Sequence, residues 1–358
     1  MRPSRAPPGK DLGLTPGCPP ELETRNPKPA IVRYPLVLTA LLLLLAAGVA
    51  AGLAVGQGSL HDPAMRAVFL ELRALRMGCA ALAGAALAVA GAVMQGLFRN
   101  PLASPSVLGT TAGASLGGQV VLLAHGLAAA WLPLWLAPEM LLPLGCVLGA
   151  ILALAVLVLA SGPTLGLSSV LLTGVIMTSL FGSVSAFLVV IGQNAWELGR
   201  AMVAFSLGSV DAKGLRHVLM AAPLVLTGIA ATWAWGRSLD VMLAGEDEAA
   251  ALGVDVHRLK RWALIWSAVL TGAAVAVGGG VAFVGLIVPH VLRPFIGVSH
   301  RRLIPAAAIG GAAFLVWCDV LARAIPAQGE LPLGVITGFI GAPVFLGILI
   351  KARREGRI

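Results

Sequence analysis

Three arginines and one short acidic stretch are the residues best suited to specific polar recognition. Arg73 and Arg76 stand one helical turn apart, and Arg323 follows Asp319 by four residues. Guanidinium groups clustered in this way bind carboxylates through paired, charge-assisted hydrogen bonds. Two readings compete. An i,i+4 Asp–Arg pair neutralises itself on one helix face, and arginines at helix ends snorkel to an interface. Alternatively, a ring of arginines at a vestibule docks an acidic partner. The acidic stretch is Leu243–Trp262, LAGEDEAAALGVDVHRLKRW. Behind Gly245, Glu246, Asp247 and Glu248 open a run of helix formers, Ala249, Ala250, Ala251 and Leu252, and Gly253 follows. Acids at a helix start and glycine just past its end predict a short helix with a favourable dipole. Such a helix is a plain connector or an element seated in a groove of a soluble partner.

Catalytic and metal chemistry lack a pattern. There is no GxxxxGK[ST] phosphate loop, so ATP phosphates have no such cradle here. The histidines (His61, His125, His217, His257, His290, His300) form no i,i+4 pair and no HExxH motif, which argues against a metal site. Isolated serines have no evident His/Asp partners. An enzyme is not expected, and neither is a resident cofactor.

The elements that must position these residues are membrane helices. Over 358 residues the chain is 58% hydrophobic and 11% charged, with 44 glycines and 23 prolines. Soluble domains are about 25% charged. The net charge of +9 does not imply nucleic acid, because no basic stripe is interleaved with aromatics. It fits charge on the cytoplasmic face of a polytopic protein. Four scattered cysteines without a CxxC pair imply no disulfide framework.

Residues 1–34, polar and Pro-rich with six Lys/Arg, predict a disordered cytoplasmic tail. Pro35–Val55 is too long for a typical signal core and reads as helix 1. Apolar runs follow at 77–97, 107–124, 140–160, 170–192, 218–235, 303–322 and 333–350, uncharged but for Asp319. Residues 352–358 form a cytoplasmic C-terminal tail. One further stretch, Trp262–Leu292, runs 31 residues without a charge and contains Gly278-Gly279-Gly280, which can end a helix and permit a reversal. Splitting it gives ten spans with 18 of the 25 Lys/Arg cytoplasmic; leaving it whole gives 12 inside and 13 outside. The positive-inside rule therefore favours ten spans, both termini cytoplasmic, and a short eighth span near 281–292. The eight tryptophans fall mostly near helix ends, as interfacial anchors do.

Two segments repeat. Leu82–Gly91 (LAGAALAVAG) and Leu270–Gly279 (LTGAAVAVGG) agree at seven of ten positions, and the same offset aligns Pro101 with Pro289. They cross in opposite directions in the ten-span reading, as an inverted repeat does. The linking segments Phe98–Pro105 and Thr164–Ser169 read as plain turns or as a gate lining a cavity.

The stretches RNPLASPSVLGTTAGASLG (99–117), GEDEAAALGV (245–254), GGGVAFVGLIVPHVLR (278–293), HRRLIP (300–305) and GELPLGVITGFIGAPVFLGILIK (329–351) resemble, in order and spacing, the FecCD family. These are ten-helix permease subunits of ABC importers for iron–siderophore complexes, haem and vitamin B12. The resemblance covers roughly residues 35–355 and implies an all-α, polytopic, vitamin B12 permease-like fold in the bacterial inner membrane. It implies a homodimer with the pathway at the two-fold interface, two ATP-binding subunits carrying ATP and Mg below, and a substrate-binding protein above. The segment Gly245–Gly253 matches the family's coupling helices, Arg73, Arg76 and Arg323 match arginines that meet glutamates of the binding protein, and Asn100, Leu102, Leu167 and Ser168 match inner-gate positions.

Two departures stand out. The family's outer motif resembles R-x-P-R, whereas this chain has Arg73-Ala74-Leu75-Arg76 and so lacks the proline that would stiffen a turn. Ser104-Pro105-Ser106 replaces the acidic-Pro-Gly common near the haem and B12 permeases, which leans toward a siderophore cargo. The competing class is an ion-coupled secondary transporter, but it normally needs an ionisable residue at mid-membrane, and these spans are nearly free of them.

Overall fold

Residues 34–56, 63–128, 138–161, 167–211, 213–325 and 330–354 are described by the computed structural model, and among them every regular element is a helix. In chain order these are α1 (Tyr34–Ala54), α2 (Pro63–Leu97), α3 (Thr110–Ala128), α4 (Pro138–Ser161), α5 (Leu167–Gly192), α6 (Trp196–Leu207) and α7 (Leu215–Ala234). There follow α8 (Gly236–Met242), α9 (Glu246–Ala251), α10 (Val256–Gly278), α11 (Val284–Ile296), α12 (His300–Ala324) and α13 (Leu333–Arg354). Seven of them, α1, α2, α4, α5, α7, α10 and α12, are long and apolar enough to cross a membrane. This is a multi-pass membrane protein.

Small residues decide how the bundle packs. α2, α10 and α12 are its most buried long helices, and their contact faces are rich in alanine and glycine. A methyl group on Gly84 would lie 2.1 Å from the Gly311 carbonyl oxygen, and one on Gly91 only 1.8 Å from that of Gly285. The backbones of α2, α11 and α12 therefore meet directly. Such close approach is how membrane helices gain van der Waals energy where no hydrophobic drive separates protein from lipid. Towards the periphery, α1 and α5 expose Leu43, Leu44, Leu172, Leu180 and Phe187, apolar surface suited to lipid or another subunit.

The 31-residue uncharged stretch is divided as its glycines predict. α10 ends at Gly278, and α11 begins at Val284, three residues later than the short span anticipated. Between them Gly279 takes φ 67° and Phe283 φ 66°, and the Gly280 amide donates to the Phe205 carbonyl at 3.0 Å, tying the break to the end of α6.

Other boundaries moved. α2 starts at Pro63 rather than 77 and runs 35 residues, roughly 50 Å at the helical rise. Arg73-Ala74-Leu75-Arg76 thus lies inside a helix, where a proline would break the hydrogen-bond ladder. α13 continues to Arg354, three residues into the expected C-terminal tail. Of the expected N-terminal tail only Tyr34 is described, and it opens α1. Of the expected Thr164–Ser169 turn, residues 164–166 lie outside the described residues, and 167–169 belong to α5 instead.

Candidate functional site: a charged mouth and a capped connector

Helix α1 ends in carbonyl groups that its own ladder cannot satisfy. Two arginines from other helices satisfy them. From α2, the Arg73 guanidinium donates to the carbonyls of Leu53 (2.7 Å), Ala54 (3.2 Å) and Gly56 (3.0 Å). From α12, Arg323 donates to the carbonyls of Gly52, at 3.0 Å, and of Val55. Cations here also complement the negative end of the α1 dipole.

Asp319, one turn before Arg323, is 0% exposed and serves two cations. Arg323 Nη2 lies 3.0 Å from Oδ2, and Arg76 Nη2 lies 2.9 Å from Oδ1. Arg76 also meets Glu330 at 2.7 Å and Asp211 at 3.5 Å. The expected i,i+4 pair is therefore part of a larger network joining α2, α12 and the segments before α7 and α13. A cavity of about 350 Å³ opens beside it, walled by Leu72, Arg73, Arg76, Lys213 and Glu330. Burial pulls the Lys213 ammonium below its ordinary value. The structure thus gathers Arg73, Arg76 and Arg323 from positions up to 250 residues apart. Arg73 and Arg323 point into the protein, while Arg76 lies between its acids on the cavity wall. An anionic partner reaching Arg76 must compete with three internal carboxylates.

At the opposite end of α2 and α12, the acidic stretch forms α9 as its sequence predicts. Glu246, Asp247 and Glu248 occupy the first turn. The Gly253 amide donates to Ala250 at 2.9 Å and the Val254 amide to Ala249 at 3.0 Å, the paired bonds of a Schellman stop. Gly253 supplies the left-handed residue, φ 84°. Lys260 holds Glu246 at 2.6 Å, and the Asp255 side chain caps α10 by accepting from the Arg258 amide at 2.9 Å. Ala249 is fully buried, whereas Leu252 is 71% exposed. A methyl on Gly253 would meet nothing within 4 Å, so Gly253→Ala should cost only its left-handed strain, about 1–2 kcal/mol. Thermal unfolding of the detergent-purified chain measures this.

Beside α9 sits a cluster that the sequence did not reveal. On α8, Asp240 accepts from the Ser299 hydroxyl at 2.8 Å, the His300 amide at 2.5 Å and His300 Nδ1 at 2.8 Å. Burial opposes ionisation of Asp240, yet these hydrogen bonds outweigh it and hold the carboxyl below its ordinary value. Its contribution is therefore complete above the ordinary aspartate range and is lost as pH falls through the depressed folded value. Nearby, Gln95 donates to the Leu286 carbonyl at 3.2 Å and accepts from Arg293 at 3.3 Å. Within the bundle Gln119 joins Ser185 (2.5 Å) and Ser206 (2.6 Å) across α3, α5 and α6. The only sequence signal was His300 opening the HRRLIP stretch; its partner lies 60 residues away.

The turn after α2 is built on Asn100. Its side chain accepts from the Leu102 amide at 2.9 Å, and its carbonyl accepts from Ala103 at 3.1 Å. Leu167 and Ser168 open α5.

Crossing helices, a charged mouth at one end and a capped polar connector at the other define a polytopic membrane protein with polar sites at both ends. Residues 35–351 match the FecCD transport family, and the chain belongs to it. It is 42% identical over 300 residues to an uncharacterised ABC transporter permease protein of Bacillus subtilis, covering 83% of this chain and 82% of the relative. It is 35% identical to the hemin transport system permease of Yersinia pestis, over 82% of this chain and 86% of that one. The Fe(3+) dicitrate permease of Escherichia coli is 36% identical, with 80% and 86% covered. A solved chain assigned to the metal-chelate type of ABC transporter, in an inward-facing conformation, superposes with TM-score 0.75 at 29% identity, over 89% of this chain and 99% of that chain. The protein is accordingly an ABC importer permease.

Proposed function

We propose that the chain carries an iron chelate, a siderophore complex, across the bacterial inner membrane by alternating access, and performs no chemistry on it. The family match over residues 35–351 supports this reading. Relatives named for hemin and for cobalamin transport make haem and vitamin B12 the alternative cargoes. In this reading α3, α11 and α13 complete ten crossings around an inverted repeat, both termini are cytoplasmic, and residues 35–351 form one permease domain between two tails. Two copies pair around the pathway. Two separate ATPase subunits bind ATP and Mg and receive α9, whose exposed Leu252 and acidic first turn suit a groove. Asn100, Leu102, Leu167 and Ser168 form the inner gate. The mouth receives the binding protein: Arg76 meets its carboxylates, while Arg73 and Arg323 hold α1 in place beneath.

Affinity capture of the tagged chain from mild detergent, followed by mass spectrometry, tests the assembly. A P-loop ATPase at one copy per permease is expected; the chain alone, even after crosslinking, would overturn the reading. Uptake of a ferric hydroxamate, haemin and cobalamin by the captured complex, once reconstituted in sealed liposomes, then separates the cargoes. Arg76→Gln should weaken binding-protein docking by about tenfold, the loss of one charge-assisted contact. Unchanged affinity in a titration would remove Arg76 from that role.

A further inference from the structure

Helix α12 begins without a cap of its own. Ser299, at its N-cap position, makes no side-chain hydrogen bond to the helix. The carboxylate of Asp240, from α8, takes that place by accepting the His300 amide and, through its other oxygen, the Ser299 hydroxyl. An ionised carboxylate only accepts, so the proton of the 2.8 Å contact to His300 sits on Nδ1. The imidazole is fully buried and wedged against the last turn of α2, where a methyl on Gly96 would fall 2.2 Å from Nε2. At the other end of α8, Gly236 presses on the backbone of Arg301, with its hypothetical methyl 3.1 Å from the Arg301 nitrogen. One seven-residue helix is thus locked to the starts of α12 and the end of α2.

The same short helix is continuous with the connector. Amides of Leu243, Ala244 and Gly245 donate to the carbonyls of Asp240, Val241 and Met242, so hydrogen-bonded turns run from α8 to the first residue before α9. Leu239 and Met242 are buried beneath them. Moreover, α2 and α12 are the helices whose far ends carry Arg73, Arg76, Asp319 and Arg323. A displacement of α9 has an unbroken packed route to the charged mouth.

We propose that the Asp240–Ser299–His300 junction is the joint that transmits movement of α9 into α12 and α2, with Asp240 and His300 acting as positioning residues for transport. This rests on the reading of α9 as the ATPase contact. The test uses the chain co-purified with its ATPase subunits and reconstituted in sealed proteoliposomes with its binding protein, with whichever of ferric hydroxamate, haemin and cobalamin the parental complex takes up. In Asp240→Ala and His300→Ala, subunit stoichiometry should stay parental and basal ATP hydrolysis should stay within about twofold, while uptake per ATP hydrolysed falls about tenfold, in the range of conformational coupling. His300→Asn, which restores a donor where Nδ1 sits, should recover most of that ratio. A merely structural role would lower yield and both activities together and leave the ratio alone.

A parental uptake-to-hydrolysis ratio in Asp240→Ala would overturn the joint. Where that variant accumulates poorly, Asp240→Asn keeps its shape, and the same ratio decides: a fall supports the proposal and a parental value overturns it. Leu252→Arg, at the exposed C-terminal end of α9, tests the underlying reading by itself. If it leaves the ATPase bound and stimulated, α9 is not the contact, whatever the ratio in the Asp240 variants.

Discussion

Asp319→Ala is expected to be the most destabilising single change at the mouth, costing about 3–5 kcal/mol, because it strips the shared carboxylate from buried guanidinium groups. Arg323 would then face Arg76 without a counter-charge, its side chain only 2% exposed. Arg76 would fare better, since Glu330 stays within 2.7 Å. That asymmetry gives the prediction its shape. Combining Asp319→Ala with Arg323→Leu removes the stranded cation, and the double variant should be more stable than Asp319→Ala alone, a non-additivity expected of groups sharing one network. Thermal unfolding in detergent reads both. Equal midpoints for Asp319→Ala and the parent would show that the network carries no stability.

Gly91→Ala should be of similar severity for a different reason. The added methyl would lie 1.8 Å from the Gly285 carbonyl oxygen, 2.4 Å from its carbon and 2.5 Å from its Cα. These are backbone atoms with no rotamer to adopt, so α2 and α11 must part along their length. Overpacking of a tight core costs about 1–3 kcal/mol and sometimes more, and a backbone collision belongs at or above the upper end. Gly182→Ala on α5 is the control: a methyl there meets nothing within 4 Å, and alanine is the better helix former by about 1 kcal/mol. Heating the two proteins in detergent and following the monodisperse fraction by size exclusion should separate them widely. Similar curves would show that the helices yield to a methyl.

What could be read in the sequence was local. Apolar runs placed the long helices, the glycine triplet placed the break after α10, and the acids before Ala249 with Gly253 behind them placed α9. Each signal lies within a few residues of what it specifies. The N-terminal extension of α2 was hidden because Arg66, Glu71, Arg73 and Arg76 interrupt the hydropathy without interrupting the helix. α6 was missed because twelve residues with Glu197 and Arg200 resemble neither a span nor a turn. The arginines stood out by type and spacing, but their partners could not be read, since backbone carbonyls of α1 carry no sequence signature. The same holds for Asp240 and His300, whose meeting depends on where α8 and α12 end in space.

The way α1 is held bears on the order in which the protein is built. Arg73 grips carbonyls 17 to 20 positions behind it, whereas Arg323 grips carbonyls 268 and 271 behind it. During synthesis the first grip is available almost as soon as α1 has entered the bilayer, and the second only after most of the chain has followed. α1 is uncharged, with mean hydropathy 2.6, so lipid can shelter it through that interval. Its final fastening comes from one of the last helices to emerge, and a ribosome stalled before Arg323 would leave α1 hanging by one hand.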